Sequence, residues 1–296
     1  MKRPAYFQLA FSIVLISGLG LTLVNSQDQD DSKAIKAEVF IKERPAKTSR
    51  STAKYKMAPR QSATVADTVP AGMSLAEMGV TIWRFRRSIA TDKTKELVEE
   101  DGESNEWTLE RIEEGTLLSP GQRVRLGLES LSKAGYLYVI NREGYADGTL
   151  GDPVLIYPTQ KSAETYQVKP GRVIYIPSAT GRFRIKPSDS EKKHVSEQIT
   201  IIVSPQPLIA EDKLGPKSIR LSRQQVDTWQ KQWGTTATKF EMDGGRGQAM
   251  TEREQSAATD GSPLLTQDDP VPQTVYRTAI KLNSPVLITV PLKFQN

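Results

Sequence analysis

Gly135-Tyr-Leu-Tyr-Val-Ile-Asn-Arg-Glu-Gly-Tyr-Ala-Asp-Gly-Thr-Leu-Gly-Asp-Pro-Val-Leu-Ile-Tyr157 is the stretch whose reading decides the fold. Gly135 to Ile140 is apolar at consecutive positions, and so is Val154 to Tyr157. Short runs of this kind, rich in β-branched and aromatic residues and bounded by Gly or Gly-Asp-Pro, read as central strands buried on both faces. The polar residues between them, 141–152, read as the connecting loop, with Asp147-Gly148 as a tight-turn pair.

The same grammar extends outward. Val124, Leu126 and Leu128 alternate with Arg123, Arg125, Gly127 and Glu129, which predicts a strand with apolar residues inside and charges in solvent. Val80 to Arg87, Val173 to Ile176, Phe183 to Ile185 and Gln198 to Val203 are further strand candidates, and Trp107 to Ile112 is a weaker one. The end of the chain reads as a hairpin: Thr274 to Ile280, a turn at Asn283-Ser-Pro285, then the alternating stripe Val286, Ile288, Val290, Leu292, Phe294. One helix is predicted over 222–233, with Ser222 and Gln225 as a capping box, Val226, Trp229 and Trp233 on one face, and Gly234 as the stop. Residues 243–263 read as loop. Many short strands between turn signals, with a single helix, predict a mainly β fold: an antiparallel β-sandwich, immunoglobulin-like or similar, with that helix packed on it.

Three segments precede and make up this fold. Lys2 and Arg3, the apolar run Leu9 to Val24 and the small residues at 24–26 have the form of a signal peptide cleaved before Gln27, which predicts export to the periplasm or beyond. The competing reading is an uncleaved anchor, for which the run falls short of the ~20 residues a span needs. Residues 27–70 read as a disordered basic linker. Lys42, Arg44, Lys47, Arg50, Lys54, Lys56 and Arg60 face one acid, Glu43, within 42–60, and weak attraction to anionic envelope surfaces follows from that charge. Residues 71–296 then form a single β-rich domain.

Composition removes several kinds of chemistry. The chain of 296 residues has no cysteine and one histidine. Disulfides, thiol nucleophiles and cysteine or multi-histidine metal centres are therefore excluded. The formal charge of +5, about +3 after loss of Lys2 and Arg3, is too small to suggest a nucleic-acid partner. There is no Gly-x-Ser-x-Gly elbow and no phosphate-binding loop, and Gly245-Arg-Gly247 lacks both the third glycine and the strand-to-helix setting of a dinucleotide site. His194, in a charged connection, reads as a surface histidine, and the acids between Glu96 and Glu114 read as a solvated edge. The oxygen-bearing residues of 141–152 match the spacing of no ordered calcium loop, so no cofactor or metal is expected. Arg142, Tyr145, Asp147 and Asp152 combine charge with an aromatic anchor between two rigid strands and are the candidate binding residues.

Several motifs resemble the bacterial family catalogued as domain of unknown function 4384. They are Gly79-Val-Thr-Ile-Trp-Arg84, Pro120-Gly-Gln-Arg-Val-Arg-Leu126, Gly135-Tyr-Leu-Tyr-Val-Ile-Asn-Arg142, Tyr145-Ala-Asp-Gly148, Ile156-Tyr-Pro-Thr159, Lys169-Pro-Gly-Arg172 and Ile201-Ile-Val-Ser-Pro205. The resemblance spans roughly residues 79–210, with 211–296, the helix and the last hairpin, as an extension. It implies a β-rich accessory module and transfers no catalytic residue. The expected function is an exported, non-catalytic module that binds a protein or a cell-envelope polymer. The alternatives are a carboxylate-dependent envelope hydrolase, which requires a pocket with converging acids, and a structural envelope protein, which requires an open strand edge or apolar patch.

Overall fold

The computed structural model describes residues 37–46, 58–60, 69–100, 102–162, 166–178, 180–186, 192–257 and 263–295. The predicted signal peptide and its cleavage site lie outside these residues, as does most of the predicted linker.

In chain order the strands are β1 (Ala58–Arg60), β2 (Met73–Arg87), β3 (Glu96–Glu100), β4 (Glu103–Ile112), β5 (Arg123–Ser130), β6 (Gly135–Tyr145), β7 (Val154–Tyr157), β8 (Gln167–Val168), β9 (Val173–Ile176), β10 (Phe183–Arg184), β11 (His194–Ser204) and β12 (Ile219–Arg220). Helix α1 (Arg223–Trp233), β13 (Thr238–Asp243), the short helix α2 (Glu252–Ser256), β14 (Thr274–Lys281) and β15 (Val286–Lys293) complete the set. They form two antiparallel sheets. The first runs β1-β13-β14-β2-β4-β3, and the second β12-β7-β6-β11-β15 with β8 also on β6. Strand β2 is long enough to organise the first sheet. β14 and then β4 follow one another along one edge, and β5 takes the other, carrying β9 and β10.

Period-2 alternation closes the sandwich. Val80 and Ile82 of β2 and Val124, Leu126 and Leu128 of β5 share one core with Leu137 and Val139 of β6, Ile199, Ile201 and Val203 of β11, and Val286, Ile288 and Val290 of β15. Each such side chain contributes about 1.5–3 kcal/mol when fully buried. The mainly β, two-sheet sandwich expected from the sequence is what forms. β6 is also buried on its second face, where α1 lies. Val226 and Trp229 of α1 are buried and belong to the same core, and Trp233 stacks on Trp229 at 5.8 Å. Ser222 caps α1 by accepting from the Gln225 N–H at 3.5 Å. Gly234 ends it through close approach rather than a left-handed turn, since its φ is −62° and a Cβ there would sit 2.3 Å from the Gln230 carbonyl oxygen.

Four expectations are corrected. The C-terminal strands are not a hairpin: β14 pairs with β13 and β2 in the first sheet, whereas β15 pairs with β11 in the second. The turn between them passes from one sheet to the other, with Asn283 at φ 61°. Residues 211–296 are thus no appendage, because they supply strands to both sheets. The polar stretch Asn141–Tyr145 belongs to β6 rather than to a loop. Residues 243–263 contain α2, whose capping box Thr251–Glu254 closes in both directions.

The fourth correction concerns the linker. Residues 37–46 are folded onto the outer face of the first sheet. Ala37–Ile41 makes a 3-10 turn that buries Phe40 and Ile41 among Leu131, Phe240, Met242, Val271 and Val275. Phe40 meets Phe240 at 5.1 Å. Arg44 grips Glu129 through Nε at 2.8 Å and a terminal nitrogen at 2.6 Å, while its third nitrogen donates to the carbonyls of Thr266, Asp269 and Pro270. Average composition concealed this, since three anchor residues suffice where each finds a complete set of partners. With 263–273 and α2, the segment forms a third layer. Glu129, expected in solvent, is therefore buried, and so is Arg125, held by Glu96 and the Gly181 carbonyl.

Candidate functional site

The sequence-predicted residues lie at one end of the second sheet, and each is engaged. Arg142 is buried on the α1 side, where it donates to the Gly151 carbonyl and to Asp227 of α1, both at 3.0 Å. Tyr145, the last residue of β6, donates its hydroxyl to Glu143 at 2.5 Å. That bond, then burial and the Glu143 charge, raise the Tyr145 hydroxyl above its ordinary pKa. Asp147 accepts from both the hydroxyl and the backbone N–H of Thr149, which holds its carboxyl down at about 2. Tyr145 and Thr149 close a narrow turn, with the Tyr145 N–H on the Thr149 carbonyl at 3.0 Å. Asp152 pairs with Arg223 at 2.6 Å, and the arginine lowers its pKa. The four residues fasten a turn and a helix, with the Asp147 and Asp152 carboxylates still half exposed.

Beside them stands a polar cluster that the sequence concealed. Glu143 and Glu197 are directly opposite each other on β6 and β11, and His194 is opposite Tyr145. His194 is buried, not superficial: its Nε2 lies 2.9 Å from the Ser196 carbonyl and 3.4 Å from Glu197, with Phe294 edge-on at 5.0 Å. Burial raises the Glu197 carboxyl above its ordinary range, while the Asn141 amide and His194 act against that shift. The only cue in the sequence was the pairing register, which no local pattern gives.

The acids between Glu96 and Glu114 form a solvated edge only in part: Glu99, Glu103 and Glu106 are exposed, whereas Glu96, Glu100 and Glu110 are matched to arginines across the first sheet. Glu96 takes Arg125 at 2.7 Å, Glu110 takes Arg84 and Arg86, and Glu100 takes Arg123 and Arg182. Arg111 is likewise paired with Glu254 of α2, and Arg277 with Glu77.

At one end of this face the matching stops. Arg87 and Arg123 each place a guanidinium over the Trp107 ring, 4.5 Å from its centroid. Arg184 stands directly opposite Arg123 across β10 and β5. Burial, then the charges of Arg184, Arg182 and Arg87, pull Arg123 below its ordinary pKa. This platform of Arg87, Arg123, Arg182, Arg184 and Trp107 is rigid because four strands carry it, and it is partly exposed.

Two hollows are present among the described residues. A 20 Å³ cavity beneath the third layer touches Trp83, Glu129, Tyr175 and Glu254 and is of water size; both acids there are already paired with arginine. A 410 Å³ open groove between α1, β14 and β15 is lined by Gln230, Thr235, Thr236, Tyr276 and Thr289, with no carboxylate in its wall. No family model, no curated protein and no solved structure matches this chain.

Proposed function

We propose that this protein is an exported module of the cell envelope that binds a protein or an envelope polymer and carries out no chemistry itself. The observation that carries the reading is the contrast within one sheet. Glu96, Glu110 and Glu100 of this sheet are neutralised by arginines, whereas exposed guanidinium groups around Trp107 remain available to a partner. A carboxylate-dependent hydrolase would need two free carboxyl groups facing a cleft, and the groove beside α1 offers hydroxyls and an amide instead. A structural protein polymerising by its strand edge is disfavoured at β15. Leu118 bonds to both Lys293 and Gln295, Gly234 bridges Leu287, and Pro291 brings no N–H. The motif resemblance points the same way, and the signal-peptide grammar supports export.

The test is capture from the native envelope. The tagged full chain, incubated with a detergent extract and with released envelope polymers, should enrich a discrete component over a tag-only control. Failure to enrich anything, together with hydrolysis of an envelope glycan by the pure protein, would sink the reading.

A further inference from the structure

We propose that the arginine cluster around Trp107 is a site for phosphate groups borne by an envelope polymer. The site rests on the binding-module reading and gives that module's ligand a chemical class.

Arg184 and Arg123 are cross-strand partners, and like charges placed directly opposite repel. Arg182 precedes the strand that carries Arg184, and Arg87 shares the Trp107 ring with Arg123. Four guanidinium groups therefore meet, and among the described residues one carboxylate, Glu100, answers them by taking Arg123 and Arg182. Among the described residues neither Arg87 nor Arg184 has an ionic or hydrogen-bonded side-chain partner, and Glu103, opposite Glu100 at the hairpin tip, forms no ion pair with them. Among the described residues the other arginines on and against this sheet are matched to acids, from Arg44 on Glu129 to Arg277 on Glu77. The unmatched pair marks where an anion from outside completes the pattern.

Guanidinium geometry selects the anion. Each fork offers parallel N–H donors that fit two oxygens, and a carboxylate has two oxygens to divide among forks, as Glu100 does between Arg123 and Arg182. A phosphate group has further oxygens, and a polymer presents such groups in series, so two forks can be met at once. Nucleic acid fits less well, because stacking a base needs a free aromatic face and the Trp107 ring is already covered by guanidinium groups.

The full chain is titrated with inorganic polyphosphate, with poly-L-glutamate of matched charge, with oligo-dT, and with phosphatidylcholine vesicles containing phosphatidylglycerol. Polyphosphate should bind saturably, more weakly as salt rises. Arg87→Ala/Arg184→Ala should weaken it about tenfold or more while the melting temperature holds, because both side chains are exposed. Arg87→Lys, which keeps charge and loses the fork, should fall between. Binding to the vesicles with the same dependence identifies lipid headgroups as a source; binding to polyphosphate alone identifies a non-lipid polymer. Equal affinity for polyglutamate, an unchanged affinity in the double variant, or tighter binding of oligo-dT overturns the proposal. If polyphosphate does not bind but wild type and double variant capture the same envelope component, this site is wrong and the module reading stands. If wild type captures nothing either, both fall.

Discussion

Arg44 and Glu129 stand 85 residues apart in the chain and meet in a two-pronged ion pair whose side chains are 1% and 2% exposed. Glu129 also accepts from the Gly171 N–H at 2.8 Å, so the N-terminal segment, β5 and the turn before β9 are joined at one carboxylate. A buried pair of this kind adds little over an apolar replacement, but losing one partner strands a charge.

Arg44→Ala should therefore destabilise the protein by about 3–5 kcal/mol. Arg44→Met with Glu129→Gln should recover most of that loss, because no buried charge remains. A chain beginning at Met73 should melt well below the full chain, since it lacks Phe40, Ile41 and Arg44. Urea unfolding measures all three, and an Arg44→Ala loss below about 1 kcal/mol would show that the segment is peripheral.

The turn after β6 should prove structural. Arg142→Ala removes the donor shared by the Gly151 carbonyl and Asp227 and should cost about 1–3 kcal/mol. Tyr145→Ala with Asp147→Ala should lower the melting temperature and leave capture of the envelope component unchanged. A stable double variant that no longer binds would return the site to this loop.

What the sequence made legible was whatever repeats locally. The stripe from Val286 to Phe294 and the Val226–Trp229–Trp233 face of α1 could be read because alternation at two residues and at three to four is written in neighbouring positions. Sheet membership could not be read so: Thr274–Lys281 and Val286–Lys293 alternate equally well as a hairpin and as strands of opposite sheets. Charge misled for a related reason. Arg125 and Glu129 look like a solvent face until Glu96 and Arg44, distant in sequence, arrive to cover and pair them. The platform around Trp107 was hidden in the same way, as it draws on β2, β4, β5 and β10 at once.

Adjacent positions on β15 should respond in opposite fashion. Ile288 is buried in the sandwich and Thr289 is exposed. Ile288→Asp should abolish soluble expression, because an unpaired carboxylate would replace an apolar side chain in the core. Thr289→Asp should change the melting temperature little. Soluble, normally melting Ile288→Asp protein would contradict the assigned register.

Glu197 should make stability depend on pH. Its folded carboxyl is raised by burial, so over the interval between its unfolded and folded pKa values the folded state holds more protons than the unfolded state. Its contribution is thus full below the unfolded value, near pH 4, and declines as pH rises through the folded value. Glu197→Gln should melt higher than wild type at pH 8, with the difference vanishing below about pH 4. A variant less stable than wild type at pH 8 would show that the ionised form is favoured in place.

The central claim is that recognition occurs on the arginine-bearing end of the first sheet. Hydrogen exchange of the full chain, with and without the component captured from the envelope, tests it most directly. The account predicts slowed exchange confined to residues 84–87, 105–109, 121–125 and 180–186, with no change across 145–152. Protection of 145–152, or of the α1–β15 groove, with the Trp107 platform unaffected would contradict it.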